Sequence, residues 1–233
     1  MSRTRVNHPI SPADLRRKRE ARIARHRLYP VTTVYSAYSL TVLVLALRSS
    51  RVALVIFASG VVAWTLMEYL VHRYILHGRF PDGGGLRHFL HKAFDHLHEE
   101  HHARPWDGRH VNGTLRDTAM YVAPVAALSL LAPIHTAPVF VAGILQSYIA
   151  EEWVHHSVHF CDFRNRYFQY IRRHHLYHHS PKGMEVGFGL TNGFWDIVWD
   201  TRIPEAERAA LYAGMHRQRS DVSSGDRREL RFR

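Results

Sequence analysis

The chain has 233 residues, a formal net charge of +11 and 20 histidines, but a single cysteine, Cys161. One cysteine excludes an internal disulfide and a Cys-x-x-Cys zinc site, so a metal site would have to use histidine or carboxylate side chains. The positive charge points to nucleic acid or an anionic membrane surface as a neighbour.

The first predicted element is a basic arm over residues 1–29, which holds nine of the 31 Lys and Arg residues. Ser11 followed by Pro12 is typical of a helix start. The charged region is too long for a cleavable signal peptide. We therefore expect a helix that lies on anionic headgroups of a membrane surface, and the alternative is a solvated arm.

Four apolar runs follow, at about residues 31–47, 52–71, 118–133 and 138–155. A membrane-spanning helix needs about 20 apolar residues, and a short link joins the runs of each pair. The pattern predicts two transmembrane hairpins; a buried helix pair of a soluble protein is the alternative for the second. Residues 206–233 are basic, and from about His216 onward they are rich in Arg, Ser and Asp and poor in apolar residues, so we expect a disordered tail there.

The distribution of Lys and Arg indicates the orientation of these hairpins. Two of the 31 lie in the link at residues 48–51, none lies between the third and fourth runs, and the other 29 lie in the remaining polar segments. By the positive-inside rule, both termini and the histidine-rich segments face the cytoplasm. The rule also accounts for the net charge without nucleic acid, for which the chain shows no binding motif.

Ten histidines recur in four groups on the predicted cytoplasmic side: His72 and His77; His98, His101 and His102; His155 and His159; His175, His178 and His179. Within each of the last three groups the i, i+3 and i+4 spacings place the side chains on one helix face. The first two, five residues apart, converge on one centre only if their helix ends or distorts; the alternative is that they flank two centres. Imidazole is the commonest metal ligand, and ten exceed the needs of one ion. We therefore predict two metal ions with about five ligands each; a solvated basic helix is the alternative for any single group.

Four stretches carry a family resemblance: EYLVHRYILH at 68–77, HEEHHARPWD at 98–107, HHLYHH at 174–179 and GFGLTNGFWDIVWDT at 187–201. The ordered histidine set on two hairpins resembles the fatty acid hydroxylase and sterol desaturase superfamily over residues 30–201. Within that superfamily, these stretches are similar to the fatty acid 2-hydroxylase branch. The implied fold is an all-α integral membrane protein with four transmembrane helices in two hairpins and a cytoplasmic, histidine-rich helical cap that holds a dimetal site.

The resemblance also implies the ligands and the metal. The family's metal histidines correspond to His72, His77, His98, His101, His102, His155, His159, His175, His178 and His179. Imidazole suits several transition metals, so it is the resemblance that implies two iron ions with O₂ as co-substrate; zinc can occupy the site in a purified protein. No catalytic residue is implied beyond the ligands.

Carboxylates are expected to hydrogen-bond the N–H groups of the ligands. The candidates are Glu68, Asp107, Glu151, Glu152 and Asp196. Glu152 departs from the family, which usually has an aspartate three residues before the histidine corresponding to His155. For Asp107 and Asp196 the alternative is a helix cap or turn residue.

The expected function is O₂-dependent hydroxylation of a lipid acyl chain at C2, by a domain covering residues 30–205. The lipid would enter from the bilayer. A separate donor, such as a cytochrome b5-like protein, a ferredoxin or a reductase, would supply electrons, since the arm has no room for a fused cytochrome b5 domain. The alternatives are hydroxylation or desaturation of a sterol, carotenoid or alkyl lipid, a catalytically dead scaffold, and a non-catalytic metal-binding protein. A metal transporter is disfavoured because the predicted spans are nearly free of polar ligands.

Overall fold

The computed structural model describes residues 11–78, 84–90, 93 and 96–213, and these residues contain helices and no β-strand. The helices are α1 (Pro12–Ser49), α2 (Ala53–Leu70), a π-helical turn (Val71–Leu76), α3 (Leu86–Leu90), α4 (His96–Ala103), α5 (Leu115–Ser129), α6 (Ala137–Phe160), α7 (Arg166–His178) and α8 (Phe194–Val198). Residues 205–213 are also helical. The predicted all-α class is confirmed.

The basic arm and the first apolar run form one continuous helix, α1. Ser11 caps it as expected, its hydroxyl oxygen accepting a hydrogen bond from the Asp14 N–H at 3.1 Å, and Pro30 lies inside the helix without ending it. A helix of 38 residues is about 57 Å long, whereas a bilayer's hydrocarbon core is about 30 Å thick. The basic section therefore extends along the axis of the apolar section, and the expected position of residues 1–29 on a membrane surface stays a prediction.

Helix α6 occupies the centre of the fold, where it packs against α1, α2 and α5. Toward one end, Val42 and Ala46 of α1 and Ala53 of α2 pack against Val139 and Ala142 of α6. Further along, a second cluster of buried apolar side chains joins α1 to α6, and it consists of Val31, Tyr35, Leu145 and Ile149. Helix α5 begins at Leu115 because Thr114 and Asp117 form a capping box.

Two of the described helices are long and apolar enough to cross a membrane, α1 and the continuous segment Ala53–Leu76. Several apolar side chains on them point outward, including Val55 at 69% exposure and Val62 at 66%. Helix α5 has 15 residues, which is shorter than the length of about 20 that a perpendicular span needs. The assignment of α5 and α6 as the third and fourth spans stays a prediction.

The C-terminal segment differs from the expected disordered tail in its first eight residues. The helix at residues 205–213 places Tyr212 against Tyr170 of α7, with ring centroids 5.4 Å apart. The Arg173 guanidinium also donates to the carbonyl of Leu211. These contacts with α7 fix a segment that was predicted to belong to the disordered tail. The rest of the predicted tail, residues 214–233, lies outside the described residues.

The backbones of α2 and α6 approach closely where two glycines face each other. A β-carbon on Gly143 would lie 2.1 Å from the carbonyl oxygen of Phe57, and one on Gly60 would lie 2.2 Å from that of Phe140. No real β-carbon contact is that short, so both positions require glycine. Small residues commonly allow such close crossings of membrane helices.

We expect Gly143→Val to destabilise the protein by about 1–3 kcal/mol, because the side chain must force α2 and α6 apart. The measurement is thermal unfolding in detergent. Gly84→Val is the matched control, since a β-carbon there meets nothing within 4 Å. Equal unfolding temperatures for the two variants would contradict this account of the crossing.

Candidate metal centre

A π-helical turn at the end of α2 brings His72 and His77 together. The N–H of His77 donates to the carbonyl of His72 at 3.1 Å, which is the i to i+5 bond that defines a π-helix. The two ring centroids are 5.1 Å apart. On a regular α-helix this five-residue step would separate the side chains by about 140°. The helix is therefore distorted at the place where convergence requires it.

The ten predicted histidines form two groups of five. Within each group, one nitrogen from every ring lies within 4.8 Å of the others. Cluster A consists of His72, His77, His98, His102 and His178, and cluster B of His101, His155, His159, His175 and His179. All ten candidates are thus brought together in fives, which is an arrangement that could hold two metal ions.

Helices α4 and α7 each contribute to both clusters. Helix α4 places His98 and His102 in cluster A and His101 in cluster B. Helix α7 places His178 in cluster A and His175 in cluster B, and His179, directly after α7, also joins cluster B. A pair from the π-helical turn completes cluster A, and a pair from α6 completes cluster B. The clusters adjoin, since the rings of His102 and His179 stack with centroids 4.2 Å apart.

The nitrogen atoms of cluster B cannot all satisfy one another by hydrogen bonding. The Nε2–Nε2 distances are 3.0 Å for His101–His155, 3.2 Å for His155–His159, 2.9 Å for His159–His175 and 3.0 Å for His175–His179. In a neutral imidazole, Nε2 carries either one proton or one lone pair, so each can make one hydrogen bond and at most two of the four contacts can form at once. Five lone pairs directed at one metal ion satisfy every ring, so this donor set fits a metal.

Backbone carbonyls fix two rings of cluster A in the form that binds metal. His72 donates from Nδ1 to the carbonyl oxygen of Phe188 at 2.6 Å, and His178 donates from Nδ1 to that of Val186 at 2.8 Å. Each Nε2 therefore keeps its lone pair. Burial lowers the pKa of His178 to about 4 and that of His102 to about 3, so both rings are neutral near pH 7.

Asp196 holds the segment that supplies one of these carbonyls. Its buried carboxylate accepts hydrogen bonds from the N–H groups of Phe188 at 2.9 Å and Gly189 at 3.0 Å, and from the Thr201 hydroxyl at 2.8 Å. Nε2 of His174, which belongs to neither cluster, lies 3.3 Å from the same carboxylate. Asp196 thus positions the carbonyl of Phe188 against His72.

Glu68 holds the same loop from the side of α2. Its carboxylate accepts hydrogen bonds from the N–H groups of Leu190 at 2.6 Å and Thr191 at 2.7 Å, and from the Thr191 hydroxyl at 2.5 Å. Glu68 and Asp196 were expected to contact ligand N–H groups, but in the structure they hold a loop whose carbonyls do so. Sequence reasoning missed the carbonyls of Val186 and Phe188, because a backbone group leaves no signal in residue type.

The other candidate carboxylates have partners elsewhere. Asp107 accepts a hydrogen bond from the N–H of Arg109 at 3.0 Å, as a turn residue does. Glu152 accepts one from the Asn112 side chain at 2.7 Å, and Glu151 accepts one from the Trp64 indole N–H at 2.6 Å. These three partners all lie outside the two clusters.

A cavity of about 490 Å³ lies between α2, α5 and α6. At one end it is lined by five of the clustered histidines, His72, His98, His101, His155 and His175. Apolar side chains make up most of the remaining wall, among them Val122, Val125, Val141, Ile144 and Leu145, and the carboxylates of Glu68, Glu151 and Glu152 also line it. Its volume lies in the range of small-molecule sites. An apolar ligand in this cavity would lie with one part against both clusters.

The family model described as fatty acid hydroxylase matches residues 57–201, which include both clusters and the cavity's main walls. The chain belongs to the fatty acid hydroxylase family. The sequence-based resemblance is confirmed, and the family and the two candidate membrane helices together support a membrane protein.

Curated relatives in this family include fatty acid 2-hydroxylases. The chain is 33% identical over 157 residues to dihydroceramide fatty acyl 2-hydroxylase FAH2 of Arabidopsis thaliana, covering 66% of this chain and 63% of that protein. It is 31% identical over 152 residues to fatty acid 2-hydroxylase of Rattus norvegicus, covering 64% and 40%. The matches thus span less than two thirds of these hydroxylases' own lengths.

A solved structure in the same family shares the fold. It is a structure of full-length scs7p in which only the hydroxylase domain is visible. The match has a TM-score of 0.67 and 26% sequence identity, and it covers 76% of this chain and 67% of that one.

We expect Asp196→Asn to destabilise the protein by about 3 kcal/mol. The amide NH₂ group would face backbone N–H groups from which the carboxylate now accepts hydrogen bonds. The amount of metal bound per protein should also fall, because the loop that carries the Phe188 carbonyl would no longer be fixed. Thermal unfolding and metal analysis measure both effects. Asp200→Asn is the matched control: Asp200 is exposed with φ 53°, a conformation that asparagine tolerates. Unchanged stability in Asp196→Asn would refute the role of this carboxylate.

Proposed function

We propose that the protein is a membrane-bound, O₂-dependent hydroxylase of lipid acyl chains that acts at C2. The observation that carries the proposal is the cavity, which joins an apolar channel to both histidine clusters. The relatives named as fatty acyl and fatty acid 2-hydroxylases support the acyl substrate and the position.

The two clusters would hold two iron ions, one in each set of five imidazoles. When bound, iron supplies the O₂ chemistry that cleaves an unreactive C–H bond, which no side chain can supply. The neutral rings of His102 and His178 offer lone pairs at physiological pH. Imidazole also accepts zinc, which would occupy the same residues without redox activity.

The protein's own residues position the lipid and keep water out. The apolar walls formed by α5 and α6 would bind the acyl chain and leave its carboxyl end beside the histidines. Glu68 and Asp196 keep the loop at residues 187–192 closed over cluster A. Electrons would come from a separate donor, such as a cytochrome b5-like protein, a ferredoxin or a reductase.

We further propose that residues 30–205 form one membrane domain with four spans in two hairpins, with helix α1 and the segment Ala53–Leu76 as the first pair and α5 and α6 as the second. Both termini and both clusters would face the cytoplasm, because 29 of the 31 Lys and Arg residues fall on that side.

The topology can be tested with thiol labelling of intact cells. The exposed native Cys161 should react with a membrane-impermeant maleimide only after permeabilisation. In a Cys161→Ser background, Pro133→Cys, in the exposed link between α5 and α6, should react before permeabilisation. The Cys161→Ser parent is the control and should stay unlabelled. Labelling of Cys161 from outside would contradict the proposed orientation.

The activity can be tested by expression in membranes with a reductase and electron carrier, followed by lipid analysis by mass spectrometry. We expect O₂-dependent accumulation of 2-hydroxyacyl lipids. His178→Ala removes a ring of cluster A and should abolish the product while the protein still inserts. His26→Ala is the control, because His26 is exposed on α1 and outside both clusters.

Two results would refute this proposal. Absence of any hydroxylated or desaturated lipid from the wild-type protein would remove the enzymatic function. Full turnover by His178→Ala would show that His178 is not a required metal ligand. If the products were hydroxylated sterols, carotenoids or alkyl lipids, the protein would be a hydroxylase of a different lipid substrate.

A further inference from the structure

The part of α1 that extends beyond its apolar section carries a strong positive charge. Residues 12–29 contain seven Lys or Arg residues and two acidic ones. Five of the basic side chains are exposed, and they are Arg16, Lys18, Arg19, Arg22 and Arg25. This concentration of positive charge on one helix favours binding of an anionic partner.

This section of α1 is attached to the protein around the clusters. Arg17 pairs with Asp162, just after α6, at 3.0 Å. The Glu20 carboxylate accepts a hydrogen bond from the N–H of Gly108 at 3.1 Å. The contact is close, since a β-carbon on Gly108 would lie 2.1 Å from the carbonyl oxygen of Glu20. The exposed charges are therefore displayed beside the metal centre.

The turn that contacts α1 also carries Trp106, two residues before Gly108. Its side chain is 46% exposed, yet its ring lies edge-to-face against His159 of cluster B with centroids 5.6 Å apart. Phe160 and Phe188, which also contact clustered histidines, are 6% and 3% exposed. Of these three aromatic side chains, Trp106 alone joins a ligand candidate to the surface.

The proposed reaction needs a reductant. Insertion of one oxygen atom of O₂ into a C–H bond gives C–OH, and reduction of the other atom to water consumes two electrons and two protons. A one-electron carrier protein must therefore dock twice per turnover, while the protons come from solvent. Electron tunnelling falls steeply with distance, so docking is productive only where a surface group contacts the metal ligands.

We propose that the exposed basic residues of α1 form the docking surface for an acidic one-electron carrier protein, and that electrons enter cluster B through Trp106 beside that surface. The proposal rests on the proposed function, because only a redox reaction needs the carrier. Complementary charge would steer the carrier to α1, and the aromatic contact would pass the electron inward.

The test measures carrier binding and metal reduction separately. The full chain is placed in nanodiscs of phosphatidylcholine, and the probes are the soluble haem domain of cytochrome b5 and a plant-type ferredoxin. Binding to the metal-free and the iron-loaded protein is followed against salt concentration. Arg19→Glu/Arg22→Glu should weaken binding at low salt about tenfold or more, because charge pairs at a docking surface control association. Lys182→Glu/Arg202→Glu makes the same change of charge on the loops after α7 and should bind as the wild type does.

Trp106→Leu separates docking from electron transfer. It should bind the carriers with wild-type affinity but accept electrons at least tenfold more slowly in stopped-flow measurements. Reduction of the same variant by dithionite, which needs no docking, should proceed at the wild-type rate. Slowed reduction by dithionite as well would mean that Trp106 supports the site structurally, and it would overturn the role in electron entry.

Other results would overturn the docking surface. These are equal weakening by both double variants, salt-independent binding, or failure of both acidic carriers to bind. The protein could instead bind phosphatidylserine vesicles, and Arg19→Glu/Arg22→Glu could abolish that binding without changing the affinity for the carriers. That result would show that the basic side chains of α1 bind a membrane. Failure of the proposed function would look different: the carriers would bind and reduce the iron-loaded protein, and no hydroxylated lipid would form.

Discussion

One nitrogen from each of five imidazoles converges at each of two points, and much of the fold serves that constraint. Neutral rings with converging nitrogens cannot satisfy one another, so they need a shared cation. The constraint explains features that are costly on their own. One example is the π-helical turn that brings His72 and His77 together. Another is the pair of buried carboxylates, Glu68 and Asp196, which fix a loop whose backbone carbonyl orients the His72 ring.

Much of this arrangement could be predicted from the sequence, because spacing on a helix dictates which side chains share a face. The ten histidines, their division into two groups of five and the need for a distorted helix at His72 followed from periodicity and ligand number. The assignment of individual rings could not follow. The three clustered histidines of α4 lie on one face, yet two of them join cluster A and one joins cluster B, because two points lie side by side beneath that face.

Tertiary contacts explain the features that the sequence did not predict. The basic section of α1 has the composition of a surface helix, but Glu20 and Ala24 pack against the turn at Gly108 and keep the helix continuous. The helix at residues 205–213 lies mostly within the predicted disordered tail, and Tyr212 packs it against Tyr170 of α7. Neither partner is close in sequence, so local composition carried no information about them.

The sharing of α4 and α7 between the clusters has a thermodynamic consequence. Any ion that binds in cluster A must immobilise two rings of α4 and one of α7, and the backbone so ordered already carries rings of cluster B. The second ion then meets a preordered set and pays less conformational entropy. Linkage requires the same coupling in the other direction, so the two sites fill, and empty, with positive cooperativity. A half-loaded centre would then be a minor species, which would suit the proposed two-iron reaction.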